Sequence, residues 1–125
     1  MNVPKDLKYT KDHEWLKIEG ENAYVGVTDF AQSQLGDVVF VEVETVGEII
    51  EKESAFGTIE AVKTVSDIFM PVTGEILEFN EELTANPDLI NKDPYNQGWI
   101  IKIQISNLAE VSELLSPEDY EKHIA

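Results

Sequence analysis

From Thr58 to Met70 the chain runs without a Gly, a Pro or an Asn, and Val, Ile, Thr and Phe dominate the stretch. Such a composition is β-prone. The run is longer than an ordinary strand of about 5–6 residues, so it predicts two strands and a reversal that needs no special residue. A type I turn meets that condition, because most residues fit its central positions. Lys63 is the most polar residue of Ala61-Val62-Lys63-Thr64 and is the expected tip. A lysine on a tight turn between two stiff strands projects into solvent at a fixed place. That geometry lets a modifying enzyme select one lysine among the nine in the chain.

The 125 residues suit one domain and are too few for two. Twenty-five acids face nine bases for a net charge of −16, and every base is a lysine. Without arginine or a basic patch there is nothing to neutralise phosphates, so nucleic acid is not an expected partner. The acidity serves either solubility or a steering field toward basic surfaces on partners. There is no cysteine, hence no disulfide, thiolate nucleophile or Cys-type metal site. Any sulfur redox chemistry has to come on a prosthetic group. His13 and His123 are far apart in sequence and form no metal motif. No phosphate-cradling glycine loop and no recognisable nucleophile–base set is present, so the chain reads as a substrate for enzymes rather than as one. No apolar run approaches 18 residues and the first residues lack a signal-peptide core. No membrane is expected, and the cytoplasm is the expected location.

In chain order, residues 1–12 read as an irregular entry arm. His13 to Ile18 and Ala23 to Val27 read as a hairpin around the turn cluster Glu19-Gly20-Glu21-Asn22, with Trp15 as a core anchor. Thr28 is placed to cap a two-turn helix that has Asp29 in its first turn, Phe30, Ala31 and Leu35 on a buried face, and Gly36 at its end. Val38 to Glu44 is a strand, and Glu48 to Glu53 is a short strand or loop. After the lysine hairpin, Glu75 to Phe79 is a strand, and Asn80 to Lys92 a loop holding a turn of helix near Thr84 to Leu89. Trp99 to Ile105 is a closing strand. Leu108, Val111, Leu114 and Leu115 switch to helical spacing, and Ser116-Pro117 opens a second helix. Gly47-Glu48-Ile49-Ile50-Glu51 echoes Gly74-Glu75-Ile76-Leu77-Glu78. The echo is either chance or the trace of a pseudo-twofold fold.

Phe56-Gly57-Thr58-Ile59-Glu60-Ala61-Val62-Lys63, then Ser66-Asp67, then Pro71-Val72-Thr73-Gly74-Glu75, resembles a lipoyl-attachment site, and more narrowly that of the H proteins of the glycine cleavage system. The resemblance extends to His13-Glu14-Trp15, Val25 to Gln32, Leu35 to Val41, Leu89-Ile90-Asn91, Pro94-Tyr95 and Gly98 to Ile103, with matched spacing over nearly the whole chain. It implies a mainly β fold: a flattened lipoyl/biotinyl-type β sandwich (barrel-sandwich hybrid) with a short helix in the N-terminal half and C-terminal helices. The expected layout is a single lipoyl-carrier domain over 1–125, with the β core at about 13–105 and a C-terminal helical extension at about 106–125. The resemblance also favours the pseudo-twofold reading of the echo.

By the same resemblance, Lys63 bears lipoate in amide linkage, an arm of roughly 14 Å over about eleven single bonds. The implied partners are the glycine decarboxylase (P protein), the aminomethyltransferase (T protein), dihydrolipoyl dehydrogenase (L protein) and the lipoate-attaching enzymes. The implied role is carriage of the aminomethyl group of glycine between the first two, followed by reoxidation by the third. Glu60 and Gly74 match positions that lipoylating enzymes read; otherwise they are a strand carboxylate and a turn glycine. Glu14 and Asp67 match acids that line the resting place of the loaded arm; otherwise they are surface charge. Asp12 and Met70 depart from residues common in the family and bear on the arm's pocket. Two readings from other classes are a biotin carrier, against which the Val62 and Thr64 flanks argue, and an unmodified acidic interaction domain. Relay of lipoate to other complexes is compatible with the carrier reading.

Overall fold

The structure is a computed structural model that describes residues 1–125. Nine strands alternate with short helices: β1 (Lys8–Tyr9), β2 (Glu14–Glu19), β3 (Asn22–Val27), α1 (Asp29–Leu35), β4 (Val38–Glu42), β5 (Ile49–Ile50), β6 (Ala55–Ala61), β7 (Val65–Phe69), β8 (Gly74–Phe79), α2 (Glu82–Ala85), α3 (Leu89–Lys92), β9 (Ile101–Ile105) and α4 (Pro117–Ile124). A 3-10 turn at Leu108–Glu113 stands where the tail's helical spacing predicts α-helix. The strands form a six-stranded sheet, β1-β2-β3-β9-β8-β5, and a three-stranded sheet, β4-β6-β7. All pairings are antiparallel.

The main core lies between the sheets. Val25, Ile76, Ile101 and Ile103 of the larger sheet meet Val41, Ile59 and Ile68 of the smaller one in one buried cluster. Their alternation with outward polar residues along each strand makes each sheet one-sided. The expected sandwich is therefore present, and neither sheet closes into a barrel. A second cluster, Leu7, Tyr9, Trp15 and Tyr120, lies under the tail. Here the entry arm departs from its expected irregularity. Tyr9 is fully buried and stacks on Tyr120 with ring centroids 4.6 Å apart, and its backbone exchanges two hydrogen bonds with Leu115. An aromatic ring of that size orders a short polar segment once the tail supplies the opposing ring.

The local signals are realised closely. Thr28 accepts from the Ala31 N–H as the α1 cap, and Gly36 ends the helix at φ +81°. Ser116 caps α4 with Pro117 in its first turn. Gly26 is held by packing, since a Cβ there would come within 2.7 Å of the Trp15 ring. The echoed segments are neighbours: Ile49 lies opposite Glu75 and Ile50 opposite Gly74. The pairing continues through the Gly47 N–H to the Ile76 carbonyl and the Ile76 N–H to the Glu48 carbonyl. Shifting each residue to its counterpart maps Ile49–Glu75 onto Ile76–Glu48, so the register has local twofold symmetry.

Candidate functional site: a hairpin lysine above an apolar cleft

Lys63 sits on the reversal between β6 and β7, whose last registered pair is Glu60–Val65. The Ala61 N–H donates to the Thr64 carbonyl at 2.7 Å. This is the reverse of the bond that would close the expected type I turn, but no residue of the tip takes a positive φ, so ordinary side chains fit. The Val62 N–H donates to the Asp37 carbonyl at 3.0 Å, which ties the tip to the segment that follows α1. The Lys63 stem passes over Gly36, where an added Cβ would lie 3.2 Å from Cε. Lys63 is exposed, and its amine takes part in none of the six ion pairs. The tip thus offers an accessible primary amine on an anchored backbone.

Gly36 is the C-cap of α1, and the body of α1 forms a wall of a cleft of about 380 Å³. Val27, Phe30, Ala31, Leu35, Ile59 and Ile68 supply its apolar lining, and Asp12, His13, Glu14, Ser66 and Asp67 its polar part. The apolar face expected on α1 is therefore only partly buried, with none of its residues fully buried. Ala31 and Leu35 pack against the main core and, with Phe30, also line this cleft.

Glu14 is the unusual group. Its side chain is buried, 3% exposed. The Thr10 hydroxyl donates to Oε1 at 2.6 Å, and the Phe69 N–H points at Oε2 from 3.5 Å. Removal from water outweighs these bonds and pushes its carboxyl up to about 8. Near neutral pH a large fraction of Glu14 is protonated, and an arriving cation would draw it to its ionised form. Asp67 lines the same cleft but is exposed, and its register places it opposite Thr58 in line with Glu42. The two acids thus share a cleft in different electrostatic settings.

His13 adopts φ +71°, which turns the chain between Thr10 and Glu14. Its Nδ1 lies 2.8 Å from the Tyr120 hydroxyl, which also lies 2.7 Å from the Thr28 hydroxyl. Burial, followed by the nearby His123, holds the His13 imidazole below its ordinary pKa. The tail helix thereby braces the floor of the cleft and the cap of α1 together.

Glu60 is on β6 three residues before Lys63, exposed and directed outward beside it. Gly74 is on β8 in the other sheet, where an added Cβ would come within 2.6 Å of the Gln104 carbonyl. Strand packing by itself therefore requires glycine there. Asp12 stands at the mouth of the cleft. Met70 is buried and lines a separate cavity of about 160 Å³, on whose wall Glu14 also appears. Thr10, the partner of Glu14, carries no signal in the sequence. The apolar wall was traceable through the Thr28 cap and the spacing of Phe30, Ala31 and Leu35.

The model of the glycine cleavage H-protein family matches residues 7–125. The chain belongs to the glycine cleavage H-protein family. It is 57% identical to the glycine cleavage system H protein of Bacteroides thetaiotaomicron over 96% of this chain and 95% of that one. It is 55% identical to that of Carboxydothermus hydrogenoformans over 96% and 92%. Its fold superposes on the crystal structure of a glycine cleavage system H protein from Mycobacterium marinum with a TM-score of 0.89 and 38% identity, covering 98% of both chains. In this H-protein family member no helix is long and apolar enough to cross a membrane.

Proposed function

We propose that the whole chain, 1–125, acts as one lipoyl-carrier domain of the glycine cleavage system, with lipoate joined in amide linkage to Nζ of Lys63. It is a carrier and not a catalyst. The observation that carries this reading is the juxtaposition at the tip: a free, exposed amine on an anchored hairpin, its stem over Gly36, the residue that ends α1, whose body lines an apolar cleft with a buried carboxyl on its wall. When bound, the group would supply the pair of redox-active sulfurs that a cysteine-free chain lacks; the chain would so serve as carrier of the aminomethyl group of glycine between the glycine decarboxylase and the aminomethyltransferase, with dihydrolipoyl dehydrogenase as its third partner.

The residues present fit that group. Phe30, Leu35, Ile59 and Ile68 offer an apolar bed for a hydrocarbon chain. Glu14, buried on the cleft wall, would be available to a cationic group that entered the cleft, and the apolar walls would limit that group's access to water. Asp67 stands at the more exposed side of the cleft. Glu60 and Gly74 serve recognition by the lipoate-attaching enzymes. The cytoplasm, where those enzymes and the three partners would meet the carrier, is the proposed location.

Intact mass and peptide mapping of protein isolated from its native cell test the attachment. The expected result is one lipoyl group, confined to the peptide that contains Lys63. A wholly unmodified protein, or biotin on the same lysine, would contradict the reading.

A further inference from the structure

The smaller sheet breaks its own alternation next to the lysine. Val41 and Ile59 are buried partners on the inner side, and Phe40 lies opposite Glu60 on the outer side. By strict alternation Val39 would point inward. The register instead shifts between Val38, opposite Ala61, and Phe40, opposite Glu60, leaving Val39 as an extra, unpaired residue, and both Val39 and Phe40 are about half-exposed, at 47% and 48%. Extra residues of this kind re-aim side chains beside functional sites. Val65 pairs with Glu60 from the other flank and is 63% exposed; Val62, on the tip, is 75% exposed. These four account for a large share of the exposed large apolar side chains of the whole chain. They surround Glu60 next to Lys63. The next row on the same face is Glu42, Thr58 and Asp67, so the apolar side chains enclose one carboxylate, Glu60, and are bordered on one side by two more.

We infer that the outer face of the β4-β6-β7 sheet, centred on the Val39–Phe40 register shift, is the docking surface for the enzyme that acylates Lys63, and that this enzyme meets it with an apolar surface carrying lysine or arginine opposite Glu60 and along the Glu42–Asp67 side. The inference rests on the carrier reading above. Charge complementarity fixes the sign of the partner: a chain of net charge −16 with Glu42, Glu60 and Asp67 on this face attracts basic side chains. The reach of the side chain selects the partner. Enzymes that act on the end of a long arm need not cover the skin around its root. The acylating enzyme must bring its centre to Nζ itself, so it has to lie on the residues next to the tip. In that step Nζ attacks the carbonyl carbon of an activated lipoyl ester or thioester. The C–N bond forms, the activated acyl bond breaks, and the amine loses a proton. Half-exposed Phe40 is then the aromatic anchor, a residue type enriched in interface cores.

The test is steady-state acylation of the full-length apo-protein by a purified lipoate–protein ligase, read by intact mass. Phe40→Thr and Val65→Thr keep β-prone residues at exposed positions, and Ile49→Thr, on β5 of the other sheet and 67% exposed, is the control. Phe40→Thr is expected to raise KM about tenfold with kcat unchanged. Val65→Thr is expected to raise it by a smaller factor, and Ile49→Thr to leave it alone. Glu42→Gln with Asp67→Asn should flatten the dependence of KM on salt. Wild-type KM for both Phe40→Thr and Val65→Thr would overturn the docking surface while leaving the carrier reading intact. Failure of wild-type Lys63 to accept lipoate would overturn both.

Discussion

Glu14 shows how a single position couples the site to stability. Between an ordinary glutamate value of about 4.3 and its raised value of about 8, the native protein keeps the Glu14 proton and the unfolded chain has lost it. The native state binds more protons, so this group's contribution falls as pH rises through that window, by about 1.4 kcal/mol for each pH unit. Urea denaturation of wild type and Glu14→Gln at pH 5.5 and 8.5 checks the sign. Wild type should lose at least about 2 kcal/mol relative to the glutamine variant over that rise; parallel profiles would mean the carboxyl is not desolvated. Nothing in His13-Glu14-Trp15 announces this. The setting of Glu14 depends on Thr10 and on Phe69, and Phe69 is brought to it only by the fold. Lys63 was legible because its signal is local: an uninterrupted β-prone run with one cation near its middle.

The elements that could be read were those fixed by neighbours in sequence. Thr28, Gly36, Ser116 and Pro117 mark the ends of α1 and α4, because capping is satisfied within one turn. What could not be read is how α4 closes the molecule. The order of β1 comes from Tyr9 stacking on a ring more than a hundred residues away, and no periodicity in residues 1–12 encodes that. The Tyr120 hydroxyl bridges His13 and Thr28, so α4 holds the cap of α1 and the cleft floor in one network. Tyr120→Phe keeps the stacked ring and removes the hydroxyl shared by partly buried His13 and by Thr28, which keeps only the Ala31 N–H. Leaving buried groups unpaired costs about 1–3 kcal/mol, so the urea midpoint should fall with an unchanged slope. An unchanged midpoint would show that the network adds nothing to stability.

At the scale of the whole molecule, two functions share one small sandwich. The β6–β7 hairpin presents an amine, and a cleft lies between α1 and the smaller sheet; on the proposed reading that cleft shelters the arm. The net charge of −16 surrounds both. If the charge steers encounters, the apparent KM of the lipoylated protein as substrate of the glycine decarboxylase should rise as the Debye length shrinks from about 10 Å at 0.1 M to about 3 Å at 1 M salt. A flat response would assign the acidity to solubility alone. The central claim is that all of this serves one lysine. Lys63→Arg preserves the charge at the tip and removes the acylable amine. Wild type and Lys63→Arg, each treated with lipoate–protein ligase and lipoate, should be compared as carriers in a reconstituted glycine decarboxylation assay. The account predicts glycine-dependent carbon dioxide release with wild type and only background with Lys63→Arg, although both fold alike; wild-type turnover by Lys63→Arg would contradict it.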